Sequence, residues 1–353
     1  MSSIKQVRKQ LKVPVAVASA VSRVFGLAVK SRFGRHRRWP EQQVLIDEPL
    51  ALAEERTHRL RRIYTNAIRD SWDGHEVFRA AVHKHGGIQL SREKREALAH
   101  LMSMLMWGEL AAWYVSAELA EQLEDLDARM AASSQVFDEA RHFYVLRDYV
   151  ALLHVPVPPL DPYFQAAVRS LLSAEDLTLK LFAMQLLAEG TAQSIFGFLA
   201  EANVEPVLSE LLPLIEKDEA RHVGLGVMHL PSRLAKLDAR QCQRIAAHTE
   251  TIGDMFAATQ MRMIPHYRAL DLDPRELFRR ADRLLHGLGQ KLGNVPGTDQ
   301  SYFRTIDPTQ PSYQAQLDFV LPPDGASPSG GTAWLYRVVE LGARAMGARS
   351  HAA

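Results

Sequence analysis

Apolar residues recur at helical spacing along most of this chain, and nowhere does a two-residue alternation run long enough to make a sheet. From Pro49 to Asp73, Leu50, Leu52, Leu60, Ile63, Tyr64 and Ile68 fall at mixed three- and four-residue intervals between charges, which predicts an amphipathic helix. Gly86-Gly87 then breaks the chain. Ser91 is a natural N-cap for a helix reaching about Gln122, and a second helix is expected from about Asp127 to Leu153. It must stop at residues 154–162, where four prolines in nine residues forbid helix. That segment and a short helix near Tyr163 to Leu172 form a crossover. Ser173 with Asp176 three residues on resembles an acidic capping box, opening a helix to about Ala202. Further helices are expected over about Glu205 to His229 and, beyond Pro231, over Asp238 to Leu270 and Arg275 to Leu292. Residues 293–331 look loop-like, and a last helix near Trp334 to Met346 packs back on the rest.

Four of these helices carry one pattern twice. Glu109 is followed 30 positions later by Glu139 and His142 as Glu-x-x-His, and adding 80 to each number gives Glu189, Glu219 and His222. A Glu and a His three apart share one helix face, so each Glu-x-x-His offers one bridging carboxylate and one terminal imidazole to the same place. From Glu109 to a turn near Glu124 is 15 residues, and the return to Glu139 is another 15. At about 1.5 Å per residue the hairpin brings its three ligands level. The second copy turns at Asn203 to Pro206, again about midway. Four carboxylates and two imidazoles suit a pair of iron or manganese ions better than zinc or calcium. The fold class that follows is all-α: a four-helix bundle with one long crossover and additional flanking helices. The bundle occupies about residues 92–229 of a helical domain spanning 46–295, followed by a loop-rich segment, 296–353, with its final helix.

The residues around the ligands extend the pattern. Both Glu-x-x-His motifs lie in an identical pentapeptide, Asp-Glu-Ala-Arg-His, at 138–142 and 218–222. A metal-binding imidazole needs an acceptor for its other N–H, and an Asp directly before the Glu points away from its own His. The natural geometry is therefore crossed, with Asp138 serving His222 and Asp218 serving His142, and with Arg141 and Arg221 neutralising the aspartates. The alternative is that all four are ordinary surface charges. Gly108 and Gly190 beside the lone glutamates point to close packing, since mid-helix glycine costs roughly 1 kcal/mol against alanine. On the first bundle helix Met102, Leu105, Met106, Ala112 and Trp113 are expected to wall the site. On the third Phe182, Leu186, Ala192 and Phe196 do so, with Gln185 and Gln193 as amides able to bond the ligand carboxylates or a metal-bound water.

At 353 residues, 47% hydrophobic and 24% charged, the chain has enough apolar material for a large core. Its single cysteine, Cys242, excludes an internal disulfide and a thiolate metal site and makes the cytoplasm the expected compartment. The net charge of +1 conceals a basic arm, residues 1–45, whose first 40 positions hold ten Lys or Arg and no acid. The remainder then has 32 basic against 41 acidic residues, or −9. Within the arm the uncharged run Val13 to Ser22 is too short to span a bilayer. A secretory signal is weakened by Pro14 and modest hydrophobicity. An amphipathic helix on an anionic membrane or acidic partner, and a surface-packed arm, both remain open readings.

At Glu109, Glu189 and the two Asp-Glu-Ala-Arg-His segments the chain resembles the ferritin-like di-iron carboxylate superfamily, over roughly residues 92–229. The Asp-Glu-x-Arg-His form is most similar to its oxygen-activating branch: monooxygenase hydroxylases, acyl carrier protein desaturases, arylamine N-oxygenases and ribonucleotide reductase small subunits. The resemblance implies two iron ions, or a manganese and an iron, with O2 as co-substrate and a small or lipid-like organic molecule as the compound hydroxylated, desaturated or N-oxygenated. The ligand set and the extra helices lead to the expectation of electrons from a separate reductase or ferredoxin, and the expected partners include a second copy of the chain and no nucleic acid. The six Glu and His ligands act through the metals, and Gln193 is a further catalytic candidate. Three positions depart from the branch: Leu146 stands where reductase subunits place a radical tyrosine, Gln193 where monooxygenases place a threonine, and Ile215 where N-oxygenases carry an extra histidine. Two readings compete with the oxidase. One is an iron-handling or storage protein, and the other is a structural or membrane-associated protein whose metals staple the bundle.

Overall fold

In the computed structural model the described residues are 55–303, 307–323 and 326–350. The basic arm, Leu50 and Leu52 lie outside them. Eight of the helices run α1 (Glu55–Arg69), α2 (Gly74–His85), α3 (Arg92–Gln122), α4 (Leu126–Leu152), α5 (Pro162–Ser173), α6 (Leu177–Phe182), α7 (Glu189–Glu201) and α8 (Pro206–Leu234). Then follow α9 (Ala239–Ala269), α10 (Pro274–Leu292), α11 (Tyr313–Val320) and α12 (Gly330–Ser350). A π-helical segment, Ala183–Ala188, joins α6 to α7 in one continuous rod. The bundle is two hairpins, α3 with α4 and α6–α7 with α8, joined across α5.

Side-chain caps set most helix starts. Ser91 accepts from the Lys94 N–H at the start of α3, Asp125 from Ala128 at α4, and Glu205 from Val207 and Leu208 at α8. The expected Ser173–Asp176 box is not what opens the third bundle helix: Ser173 closes α5, and Asp176 is itself the cap, accepting from Thr178 and Leu179. The fourth bundle helix does not end near His229 but continues through Pro231 to Leu234. Proline inside a helix costs about 3 kcal/mol. Buried Leu230 and Leu234 on that last turn, each contributing about 1.5–3 kcal/mol, offset it.

Two helices go beyond the sequence reading. The first, α2, has only a thin apolar stripe, and α11 lies inside the stretch expected to be loop. Together with α12 and α9, α11 builds a satellite core around Met261, Ile264, Tyr313, Leu317 and Val339. The Tyr163 hydroxyl of α5 donates to the Val339 carbonyl of α12, so the last helix does fold back. The main core fills the bundle and reaches α1, α2, α9 and α10. No described helix is long and apolar enough to cross a membrane.

The glycines that matter for packing are not those flanking the lone glutamates. At Gly108 a Cβ would meet Phe164 at 3.6 Å, and at Gly190 it would meet Leu284 and Leu288 at 3.6 Å, which is ordinary contact. A close approach beside the centre is at Gly226 on α8. There a Cβ would stand 2.7 Å from Gln185 Cβ and from Leu186 Cδ2, both in the π segment. Gly226 is what lets the π segment lie against α8.

Candidate metal centre

Helix level and hairpin docking bring Glu109, Glu139, His142, Glu189, Glu219 and His222 together in the middle of the bundle, all at most 4% exposed. Their donor atoms form two overlapping groups. One is Glu109, Glu139, His142 and Glu219, the other Glu139, Glu189, Glu219 and His222, with the atoms of each group within 4.8 Å of one another. The Glu of each Glu-x-x-His belongs to both groups, while each lone Glu and each His belongs to one.

The aspartates pair crosswise. His142 Nε2 lies 3.1 Å from Asp218 Oδ2, and His222 Nε2 lies 3.3 Å from Asp138 Oδ2. With Nε2 turned to the aspartates, each Nδ1 faces the carboxylates: His142 Nδ1 is 3.1 Å from Glu219 Oε1, and His222 Nδ1 is 3.1 Å from Glu139 Oε1. Arg141 donates to both aspartates at 2.6 and 2.7 Å, and Arg221 does the same at 3.0 and 2.5 Å. The four charges form a closed lattice under the two imidazoles.

Sequence reading missed two members of this assembly. Trp72, between α1 and α2, donates its indole N–H to Asp218 at 2.9 Å, stacks against His142 and lies 4.7 Å beneath the Arg141 guanidinium. Gln135, one turn before Glu139, donates to Glu139 at 2.9 Å and to Glu189 at 2.8 Å, while its oxygen accepts from Gln185. Only its spacing could have marked Gln135, which shares the face of Glu139. Nothing local pointed to Trp72. Gln193 is half-buried on α7, makes none of the hydrogen bonds around Glu189 and lines no cavity beside it.

The donor set fits two divalent cations. Six buried carboxylates against two guanidiniums leave four negative charges, the charge that two such ions carry. Glu139 Oε2 and Glu219 Oε1 are buried and accept no hydrogen bond, a costly state for a carboxylate unless a cation meets it. Without metal the cluster balances itself with protons. Burial, then repulsion from Glu219, pushes Glu109 and Glu189 well above the usual carboxylate range. Burial raises Glu139 too, but the neighbouring imidazoles outweigh it and hold that carboxyl well below the range. Burial lowers both histidines, yet their aspartate and glutamate neighbours lift them well above 6.5.

The opposite side of the centre is apolar. A cavity of about 60 Å³ lies against the lone glutamates, walled by Leu105, Ala112, Met184, Ala188 and Thr191 and closed by Phe164 of α5 and Phe256 of α9. Of the expected wall, Leu105, Ala112 and Ala192 line it. Met102, Met106, Trp113, Phe182, Leu186 and Phe196 do not, because the cavity opens toward α5 and α9 rather than along the bundle axis.

The sequence matches no protein-family model and no curated protein. Among solved structures the fold is similar to R2-like ligand-binding oxidases. A variant with an anaerobically reconstituted Mn/Fe cofactor is 15% identical over 73% of this chain and 99% of that one, with a TM-score of 0.59. A second such variant has the same identity and coverage and a TM-score of 0.57. A form with an aerobically reconstituted metal cofactor after photoconversion, again at that identity and coverage, has a TM-score of 0.55.

Proposed function

We propose that this chain, which has the all-α ferritin-like fold of the R2-like ligand-binding oxidases, is an O2-dependent oxidase of an apolar organic substrate, using two iron ions or a manganese and an iron. The observation that carries the reading is the junction of two things: a buried six-residue ligand cluster with orphaned carboxylate oxygens, and an apolar cavity that touches it only at Glu109 and Glu189. Such a metal pair would activate O2, the oxidant of the reaction.

The chain's own residues do the rest. Glu139 and Glu219, common to both donor groups, would hold both ions, while Glu109 with His142 and Glu189 with His222 would each hold one. Asp218 and Asp138 hold the imidazole protons on Nε2, so that Nδ1 is the donor. The cavity walls exclude water beside the lone glutamates and admit hydrocarbon. Leu146 and Ile215 are fully buried, and the Tyr149 hydroxyl is engaged by Glu205, so the radical tyrosine and additional histidine of other branches have no counterpart at these positions.

The test is anaerobic loading with Fe(II), alone or with Mn(II), then exposure to O2. Two metals per chain and rapid O2 consumption are expected. Many irons per chain with assembly into a shell would favour storage, and two metals with no O2 reaction would leave only the structural reading.

A further inference from the structure

A second, larger cavity of about 230 Å³ lies outside the first, between α9, α10 and Tyr302-Phe303. The two abut: Thr191, Ile195, Phe256 and Gln260 line both. A molecule passing from solvent to the lone glutamates by this side meets the outer cavity first.

Its polar lining is one-sided. Glu250, Asp254 and Asp282 contribute three carboxylates, and no Lys, Arg or His stands among its described lining residues; Arg304 lies outside the described residues. Arg279 and Arg283, nearby on α10, are paired with Glu276. Asp282 receives one hydrogen bond, from the Tyr313 hydroxyl at 2.8 Å, and burial still raises its pKa above the ordinary value. Deeper in, Thr249 is 1% exposed, lines the cavity, and its hydroxyl has no hydrogen-bond partner. Carboxylates only accept hydrogen bonds, and the Thr249 oxygen is free to accept, so the lining is matched by a group that donates several and carries positive charge. The remaining wall is hydrocarbon, including Leu277, Phe278 and Leu285.

Resting on the oxidase reading for what happens further in, the geometry points to a vestibule that selects an apolar substrate with a primary ammonium head. The head sits among Asp254, Asp282 and Thr249, and the hydrocarbon reaches past Phe256 and Gln260 toward the inner cavity.

Calorimetric titration of the metal-loaded full chain with hexylamine and with 1-hexanol at neutral pH tests this. Hexylamine should bind at least about tenfold more tightly, since hydrogen bonds to charged groups exceed neutral ones by that order. The double variant D254N/D282N should erase most of the difference, and T249V should weaken the amine several-fold while sparing the alcohol. Where the double variant does not fold, D254N, at an exposed position, and T249V carry the test. Equal binding of the two probes overturns the proposal, and so does an amine preference that none of these variants reduces, because the amine is then held at the metals. O2 consumption is measured separately. Amine selectivity without any O2 reaction keeps the vestibule and removes the oxidase; O2 turnover with equal probe binding does the reverse.

Discussion

The two faces of the centre come from the same doubled sequence and obey different rules. The face toward α1 and α2 is charged and symmetric: Asp138 mirrors Asp218, Arg141 mirrors Arg221, and each aspartate serves the other half's histidine. The face toward α5 and α9 is apolar and unsymmetric. Glu109 sits in an unbroken helix of 31 residues, whereas Glu189 follows directly on six π-helical residues. Repetition fixes the atoms that must meet two like ions. Departure from repetition makes room for something that is not duplicated, as π segments frequently do at functional sites.

The largest effect is expected where the two faces meet. Glu139→Ala removes a carboxylate common to both ligand groups and should abolish O2 consumption and paired metal binding, while circular dichroism still shows a folded helical protein. If activity survived, the cluster would not be the reacting centre. On the charged face alone, Asp218→Asn withdraws the acceptor shared by His142, Trp72, Arg141 and Arg221, and metal affinity should fall about 10- to 100-fold by competition with a chelator. Asp138→Asn, whose carboxylate serves His222 and the same two arginines but not Trp72, should also lower metal affinity, by less, and no loss from it would break the crossed pairing.

On the apolar face, Ala112→Leu fills part of the cavity and should leave two metals per chain while cutting substrate turnover about tenfold, the scale of a misplaced methylene in an apolar pocket. A parallel loss of metal would show that the faces are not separable. Gly226→Ala puts a methyl into the π segment and should cost about 1–3 kcal/mol, read as a lower melting temperature. No loss would mean that the segment yields easily.

The smallest effect is one of pH. In the metal-free protein Glu109 and Glu189 are raised above 4.5, and His142 and His222 above 6.5. Each group therefore contributes stability that is full below its ordinary value and lost as pH rises through the folded one. Asp138 and Asp218 are lowered from 3.8, so their contribution is present above that value and lost as pH falls. Metal-free protein should melt highest at mildly acidic pH and lower toward pH 8. Loaded protein should diverge upward over that rise, because ligands must shed protons to bind. Parallel melting curves would contradict the assignment.

What was legible in the sequence follows the same division. The six Glu and His positions and their crossed aspartates could be read because each relation is short range within a helix or repeats at a fixed offset of 80. Trp72 could not, since it reaches Asp218 across 146 residues. The cavity was misplaced because Phe164, Phe256 and Gln260 arrive from helices outside the bundle, and because a π segment leaves no mark in apolar periodicity. Gly108 and Gly190 drew attention by position, but Gly226, one turn beyond His222, is where side chains of the π segment press against α8.

The crossed bonds between imidazole and aspartate also tie the completeness of each site to the docking of the two hairpins. Each hairpin closes between neighbouring stretches, yet His142 and Asp218 are 76 residues apart, and His222 and Asp138 are 84. Neither hairpin can orient its own imidazole, so a half-folded chain offers carboxylates but no finished pocket. The complete site for an ion pair therefore exists only where both hairpins are docked, so metal affinity reports on the finished fold.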